Sequence, residues 1–368
     1  MTTNVHDPEW MHAAALANLP MLTHRRLRRL IDAGRPSQVW ESLVRGEPVV
    51  AGVPHDVLAG WHAQARLGVD DVAEACAKQA ITVTWRHCET YPQVLRGDPA
   101  APAVLFMKGD PRYLSRRRVG IVGTRHPTGH GARLAMRFGA QLAAADVAVV
   151  SGLARGIDVQ SHIGMLSVAD CEARPIAVVA SGLDTIYPPE HRGMWERVGT
   201  EGLLISEFAP GTPPAPHRFP LRNRIIAGLS EVLVVVESGH RGGSMITVRE
   251  AIHRGVTVMA VPGSPHLRQS EGTTALLRDG CAPAGDVDDI LVALGLDTSR
   301  TRAWVDVREA PDADQSRVLT VMGDRPRCID EIALAASMPV LDVAIHLGAL
   351  SEKKWVSQVD GWWEALID

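Results

Sequence analysis

Glycine, hydroxyl and arginine residues cluster where predicted β-strands end. Such loops follow the strand-like runs 118–123, 147–152 and 231–238. The candidate residues in them are Gly123, Thr124, Arg125, Ser151, Gly152, Arg155, Gly156, Gly242, Gly243 and Ser244. Glycine lets backbone N–H groups approach an anion, a following helix N-terminus is partly positive, and hydroxyl and guanidinium groups donate further hydrogen bonds. A single glycine turn is equally well explained by steric needs, but several turns on one sheet edge predict a row of phosphate sites.

The segment 208–230 is a second concentration of basic residues, and it contains no acid. Its proline content predicts an irregular loop after a strand. The candidate binding residues in it are His217, Arg218, Phe219, Arg222, Asn223 and Arg224. Arginines bind phosphates through paired hydrogen bonds, and an aromatic ring stacks on bases. Two structural alternatives stay open: Phe219 could anchor the loop in the core, and Asn223 and Arg224 could hold the following helix through buried hydrogen bonds.

A third basic stretch, 111–125, includes three consecutive arginines at 116–118. These arginines precede a predicted strand. They are therefore better explained as solvent-exposed residues at the start of that strand than as nucleic-acid contacts.

Short apolar runs alternate with helix-length segments between residues 80 and 296. The strand-like runs are 81–85, 103–109, 118–123, 147–152, 175–182, 202–207, 231–238 and 256–263. In the segment 131–145, apolar residues recur every four positions, which predicts a helix. Continuously apolar strands are typical of a parallel sheet covered on both faces. The pattern therefore predicts an α/β fold, a doubly wound, mostly parallel sheet of the extended Rossmann-like kind.

The rest of the chain divides into further segments. Residues 1–76 are predicted to form a small helical domain, and residues 80–296 are predicted to form the α/β domain. Residues 297–315 are polar and predict a linker. Residues 316–368 predict three short helices and a β-hairpin, which indicates a winged-helix-like domain.

The net charge, the cysteine pattern and the lengths of the apolar runs limit the possible functions of the chain. The formal charge is −4, so a nucleic-acid site must be a local patch. The five cysteines are scattered without a CxxC spacing, so we expect reduced thiols, a cytoplasmic protein and no metal site. No apolar run is long enough to span a membrane. Asp158 and His162 lie four residues apart, but no further catalytic arrangement accompanies them, so we predict neither enzymatic activity nor a cofactor.

The motifs together resemble the DprA/Smf family of DNA-recombination mediators. The resemblance rests on GIVGTRHPTGHG, SGLARGID, ASGLDTIYPPEHRGMW, FPLRNRIIAGLS and RGGSMIT, and it covers about residues 80–295. It implies a protein that binds and protects incoming single-stranded DNA, forms a homodimer and loads RecA recombinase during transformation and recombination. The ends of the chain resemble, less specifically, the SAM-like and winged-helix domains of some members. The resemblance implies phosphate contacts at Gly123, Thr124, Arg125, Ser151, Gly152, Arg155, Gly156, Arg218 and Phe219, with Arg222, Asn223 and Arg224 adjacent.

One alternative function remains open. Glu237, Gly242, Gly243, Thr247 and Glu250 vaguely resemble the loop of nucleotide phosphoribohydrolases in the wider Rossmann superfamily. The chain would then be an enzyme or a sensor for a small nucleotide. The FPLRNR string distinguishes the two functions, because it suits a polymer better than a mononucleotide.

Overall fold

A computed structural model describes residues 9–296, 309–323, 326–353, 355–359 and 361–366. By its internal contacts the chain divides into two compact units, Met1–Thr301 and Arg302–Asp368. The predicted linker 297–315 lies largely outside the described residues. The helix that follows it begins at Ala313, before the predicted end of that linker.

The first unit begins with five helices, as the sequence predicts for this region. They are α1 (Glu9–Ala17), α2 (His24–Asp32), α3 (Pro36–Val44), α4 (His55–Ala65) and α5 (Asp70–Lys78). Trp61 is fully buried among them and donates its indole N–H to Pro20 O at 2.9 Å. The apolar cluster of these helices continues into Val83, Phe106 and Leu204 of the sheet. The helices and the sheet therefore share one core.

A nine-stranded sheet forms the centre of the first unit, in the order β1-β2-β6-β5-β4-β3-β7-β8-β9. The strands are β1 (Thr82–Trp85), β2 (Val104–Gly109), β3 (Arg117–Val122), β4 (Val147–Ser151), β5 (Ile176–Val178), β6 (Leu203–Ser206), β7 (Val232–Val235), β8 (Thr257–Ala260) and β9 (Ala282–Pro283). Strands β3 to β9 are parallel to one another, and β1 and β2 are antiparallel additions beside β6. Every strand predicted from the sequence is present, and the doubly wound, mostly parallel fold is confirmed. The short β9 was not predicted.

Helices cover the sheet, which explains why the inner strands are apolar on both faces. They are α6 (Gln93–Arg96), α7 (Gly129–Ala144), α8 (Ile157–Leu166), α9 (Arg192–Glu201), α10 (Arg218–Leu229), α11 (Ser244–His253), α12 (Glu271–Arg278) and α13 (Val287–Ala293). Phe138 and Leu142 of α7 are fully buried against the strands. The predicted helix 131–145 is thus confirmed with its apolar face inward.

The interpretation of 208–230 as a wholly irregular loop is wrong. Only 208–217 is irregular, and the FPLRNR string lies inside helix α10. Pro220 is compatible with that helix because it falls in the first turn, where an N–H has no partner in the helix anyway. The preceding residues are rich in proline, so the sequence did not indicate where this helix begins. The helix buries Ile225, Ile226 and Leu229.

The second unit contains the predicted helices and hairpin. Its elements are α14 (Ala313–Met322), β10 (Arg327–Cys328), α15 (Ile329–Ala336), α16 (Val340–Glu352), β11 (Val356–Val359) and β12 (Trp362–Ala365). The three strands form an antiparallel sheet in the order β10-β12-β11. Val318, Ile332 and Leu347 are buried in its own small core. In the described part of the chain no single helix has the length and apolarity to cross a membrane, although α15 and α16, bent by 108°, pass that test as a pair.

Candidate nucleic-acid interface

The loops after β3 and β4 contact each other at the carboxyl edge of the sheet. Gly156 has a φ of +78°, and a Cβ at that position would lie 2.3 Å from the carbonyl oxygen of Thr124. The amide of Ile157 donates to the same oxygen at 3.2 Å. Only glycine fits this approach, so Gly156 allows the loops that carry Arg125 and Arg155 to meet.

Several predicted residues make contacts within the protein itself. The Ser151 hydroxyl is buried and donates to Ile121 O at 2.6 Å. A Cβ on Gly123 would lie 2.5 Å from Ile157, and a Cβ on Gly152 would lie 1.8 Å from a guanidinium nitrogen of Arg222. These small residues allow close packing beneath the loops.

A groove at this edge brings together residues that are distant in the sequence. It is lined by Arg125, Gly152, Ala154, Arg155, Val179, Ala180, Ser181, Tyr187, Pro188, Pro214, Phe219 and Arg222. Arg125 and Arg155 are exposed, whereas Arg222 is buried. The groove therefore combines the loop that follows β5 with five candidates from the sequence: Arg125, Gly152, Arg155, Phe219 and Arg222.

Two aromatic rings and one guanidinium form a cluster in this groove. The ring centroids of Tyr187 and Phe219 are 5.4 Å apart, and the Arg125 guanidinium carbon lies 5.3 Å from the Phe219 centroid. Both distances are typical of attractive aromatic and cation–π contacts. Phe219 is half-buried, so it lies at the groove wall rather than in the core.

Sequence reasoning missed Tyr187 as a groove residue. It lies in the ASGLDTIYPPEHRGMW motif, directly before a cis peptide bond to Pro188. The available signal was its place beyond a predicted strand end, the position that also identified the arginines. The chain has only 3 tyrosines, so a tyrosine beside such a motif was informative.

Asp184 positions the irregular segment that precedes Phe219. Both of its carboxylate oxygens accept the Gly211 amide, at 2.9 Å. The amide of Gly182 donates to Thr212 O at 2.9 Å. These bonds attach the segment to the loop after β5, which explains how Tyr187 and Phe219 come together.

Arg155 and Arg218 each have an internal partner. Arg155 forms an exposed ion pair with Glu190, and this hydrogen bond raises the pKa of Arg155 above its ordinary value. Arg218 donates to Pro213 O, and its guanidinium lies 5.2 Å from the Phe208 ring centroid. Its neighbour His217 is exposed. Arg218 thus flanks the groove beside Phe219.

Arg222 lies beneath the groove with only 4% of its surface exposed. It donates to Val178 O at 2.6 Å, and burial lowers its pKa to about 10. Nearby Asp158 accepts the Gly152 amide at 3.1 Å. Burial, and then the charge of Arg222, lower the pKa of His162 to about 3, so His162 is neutral at pH 7.

Asn223 and Arg224 connect α10 to other elements. Arg224 is buried and binds Glu207 at 2.6 Å and His24 Nδ1 at 3.0 Å. Asn223 donates to Gly243 O at 3.4 Å. The buried contacts of Arg224 fit the structural alternative for that residue, whereas the hydrogen bond of Asn223 is exposed.

The loop after β7 differs from the loops of the groove. Ser244 is buried and donates to the Ser238 hydroxyl at 2.8 Å, and a Cβ on Gly242 would lie 2.4 Å from that same hydroxyl oxygen. Gly243 is exposed, and a Cβ added there would meet no atom of the described residues within 4 Å. Only Gly243 of these three presents an open backbone surface.

Metal ligands are not grouped in the described ranges: no cluster of three or more His, Cys, Asp or Glu side chains that could hold an ion occurs there. All five cysteines are free.

Comparison with known proteins agrees with these motifs. Residues 82–295 match the family model of DNA recombination-mediator protein A. The chain is 31% identical over 307 residues to Protein Smf of Synechocystis, covering 74% of this chain and 76% of that protein. It is 37% identical over 224 residues to the DNA processing protein DprA of Bacillus subtilis, covering 61% and 74%.

Solved structures show the same relationship. DprA from Streptococcus pneumoniae superposes with a TM-score of 0.65 and 27% identity over 77% of this chain and 97% of that one. Helicobacter pylori DNA processing protein A, whose single-stranded DNA binding mode has been described, gives 0.51 and 26% over 58% and 95%. With more than half of its residues matched by the family model, the chain belongs to the DNA recombination-mediator protein A family, also called DprA/Smf.

Proposed function

We propose that the groove binds single-stranded DNA without sequence preference. The observation that carries this proposal is the placement of Arg125 and Arg155 on one groove with the Tyr187–Phe219 ring pair. Guanidinium groups bind phosphates, and ring faces accept any base. The combination suits a polymer of alternating phosphates and bases.

The electrostatics at Arg125 support this proposal. The chain carries a net charge of −4, yet the Arg125 guanidinium is exposed at the groove and lies over an aromatic ring. Binding through phosphates releases counterions, so affinity should fall steeply as salt rises. The Helicobacter pylori relative is described as binding single-stranded DNA, which favours the same ligand here.

The remaining parts of the proposed function rest on family membership. The chain acts in the cytoplasm as a homodimer, protects incoming single strands and delivers them to RecA during transformation and recombination. Two linked grooves would raise avidity for a long strand. Its role is binding rather than catalysis: His162, the candidate base, is fully buried and has a pKa of about 3, far below the range of a useful base at neutral pH.

The decisive test compares Arg125→Ala with Arg112→Ala. Arg112 follows the carboxyl end of β2, which pairs antiparallel with β6, so it lies at the opposite edge of the sheet. Its side chain is 88% exposed. We expect Arg125→Ala to weaken binding of labelled oligo-dT by about 1–2 kcal/mol and to reduce the salt slope by about 0.7, because one phosphate contact is lost.

Fluorescence anisotropy across a salt series provides the measurement. Arg112→Ala should match the parent protein. Equal losses in the two variants would show that general positive charge, and not the groove, controls binding. Parent-like binding by Arg125→Ala would place the DNA elsewhere.

A further inference from the structure

The sheet has a switch point beside the proposed DNA groove, between β3 and β7. The chain passes from β3 to β4 on one side and later returns to β7 on the other side of β3. In open α/β sheets, nucleotides bind in the crevice between the loops at such a point, often against a helix N-terminus. Here that crevice lies between the β3–α7 loop and the loop after β7.

The side chain of Glu237 occupies this crevice. Its carboxylate accepts the backbone N–H of Thr128 at 2.8 Å and the Thr128 hydroxyl at 2.5 Å. The Thr124 amide donates to the Glu237 carbonyl at 2.7 Å and joins the two loops. Glu237 is only 7% exposed. The N-terminus of α7 and the Thr128 hydroxyl therefore stabilise its carboxylate.

This arrangement completes a capping box between the loops that follow the adjacent strands β3 and β7. In a capping box, the N-cap hydroxyl accepts the amide of the third helical residue, whose Glu side chain accepts the N-cap amide in return. Thr128 is the N-cap of α7 and accepts the Gly131 amide at 3.0 Å. The third helical residue is Gly131, which has no side chain to return the bond. Glu237 returns that bond from the loop after β7.

The absence of a side chain at Gly131 is what admits the carboxylate. A Cβ on Gly131 would lie 2.3 Å from the Glu237 carboxyl carbon and within 2.6 Å of both its oxygens. The carboxylate therefore stands where an anion bound to the N-terminus of α7 would stand, and any side chain at 131 would displace it.

We infer that Glu237 is a built-in anion that fills the phosphate position at the switch point and so excludes mononucleotide phosphates from it. Glu237 is a specificity-determining residue. Because it fills the crevice, phosphates bind instead in the groove, which is formed by the loops after β3, β4 and β5 together with α10. This explains why a Glu and glycine-rich loop that resembles a nucleotide site need not bind a nucleotide. The inference concerns a different crevice from the groove and does not depend on DNA binding there.

The test replaces the carboxylate with space or with a neutral group of the same size. Glu237→Ala should leave an anion-shaped cavity, whereas Glu237→Gln fills it. We expect formate and inorganic phosphate, at concentrations well above their dissociation constants, to raise the melting temperature of Glu237→Ala by about 3–5 °C relative to chloride. The parent and Glu237→Gln should show no such anion-specific gain. Calorimetric titration of formate and AMP into the same three proteins measures the binding directly.

The outcomes separate cleanly. A saturable response to inorganic phosphate or AMP confined to Glu237→Ala supports the inference, as does recovery of folded Glu237→Ala only when phosphate is present. A response to formate without one to phosphate or AMP overturns it, because the carboxylate would then act only as a cap of α7. A folded Glu237→Ala that responds like the parent overturns it, as does failure to recover the variant in any of these anions. Oligo-dT affinity, measured in parallel, reports on the groove separately.

Discussion

The arginines at 116–118 and Arg125 lie at opposite edges of the sheet and have different partners. At the amino edge, Arg117 pairs with Glu231, Arg116 pairs with Glu172, and Arg118 is buried. At the carboxyl edge, Arg125 is exposed and lies against an aromatic ring instead of a carboxylate. The amino-edge segment is the denser in arginine, yet its charges are neutralised by acids that lie far away in the sequence. Local density of arginine therefore does not indicate which guanidinium groups remain without a carboxylate partner, and we propose that position at a strand end is the better guide to a phosphate site.

Among the tests of this contrast, the largest expected effect is the loss of folding stability when Arg118 is replaced. Arg118 donates to Leu229 O at 2.8 Å and to Leu114 O at 2.5 Å. Arg118→Ala would leave these buried carbonyls unpaired, and we expect it to lower the free energy of unfolding by about 3 kcal/mol. Urea denaturation measures the loss. Oligo-dT affinity of the folded variant should equal that of the parent, and weakened binding would contradict the structural role.

Phe219→Ala tests the aromatic part of the groove. Loss of one stacked base should weaken oligo-dT binding by about 1–3 kcal/mol. An abasic strand of equal length should bind the variant and the parent equally, because only phosphates contact the protein there. Phe219→Leu keeps most of the volume without the ring and serves as the matched control. If Leu restores full affinity, packing and not stacking explains the effect.

Acid titration tests whether His162, close to the buried Arg222 below the groove, is held neutral in the folded protein. The pKa of His162 falls from 6.5 to about 3 in the folded protein, so the unfolded chain binds the extra proton as pH decreases. This histidine therefore contributes its full share of stability above pH 6.5, and that share is lost as pH falls toward 3. We expect the free energy of unfolding to fall steadily as pH decreases through that window, because the unfolded chain takes up one proton more than the folded protein.

His162→Leu should flatten the dependence of unfolding free energy on pH, measured by urea denaturation at several pH values. A slope from His24 should remain, since burial and Arg224 lower its pKa to about 4. An unchanged slope in His162→Leu would show that His162 is not held neutral in the folded state.

The smallest effect concerns Arg155, an exposed groove arginine that forms an ion pair with Glu190. Glu190→Gln removes the carboxylate that pairs with the exposed Arg155. Surface ion pairs are weak, so we expect oligo-dT to bind only about twofold more tightly. Glu196→Gln, an exposed acid on α9, makes the same change in net charge and should have less effect. Equal gains in both variants would indicate a general charge effect.

Much of the groove could be predicted because its residues follow strand ends. Arg125, Arg155 and Phe219 were all identified and share one surface. Tyr187 follows a strand end as well, but its contact with Phe219 depends on the segment 208–217 folding back onto the loop after β5, which no local pattern indicates. The helical start at Arg218 was also missed, because proline reads as a helix breaker until its place in the first turn is known.

The sequence by itself determined the parallel sheet, its strands and the glycine turns at their ends, because apolar periodicity and backbone sterics are local properties. Only the tertiary structure decided which charges are free and which are paired. Glu207 and Arg224 are 17 residues apart, and Glu237 and Thr128 are 109 apart. Such pairs depend on the order of strands in the sheet, and no local pattern encodes that order.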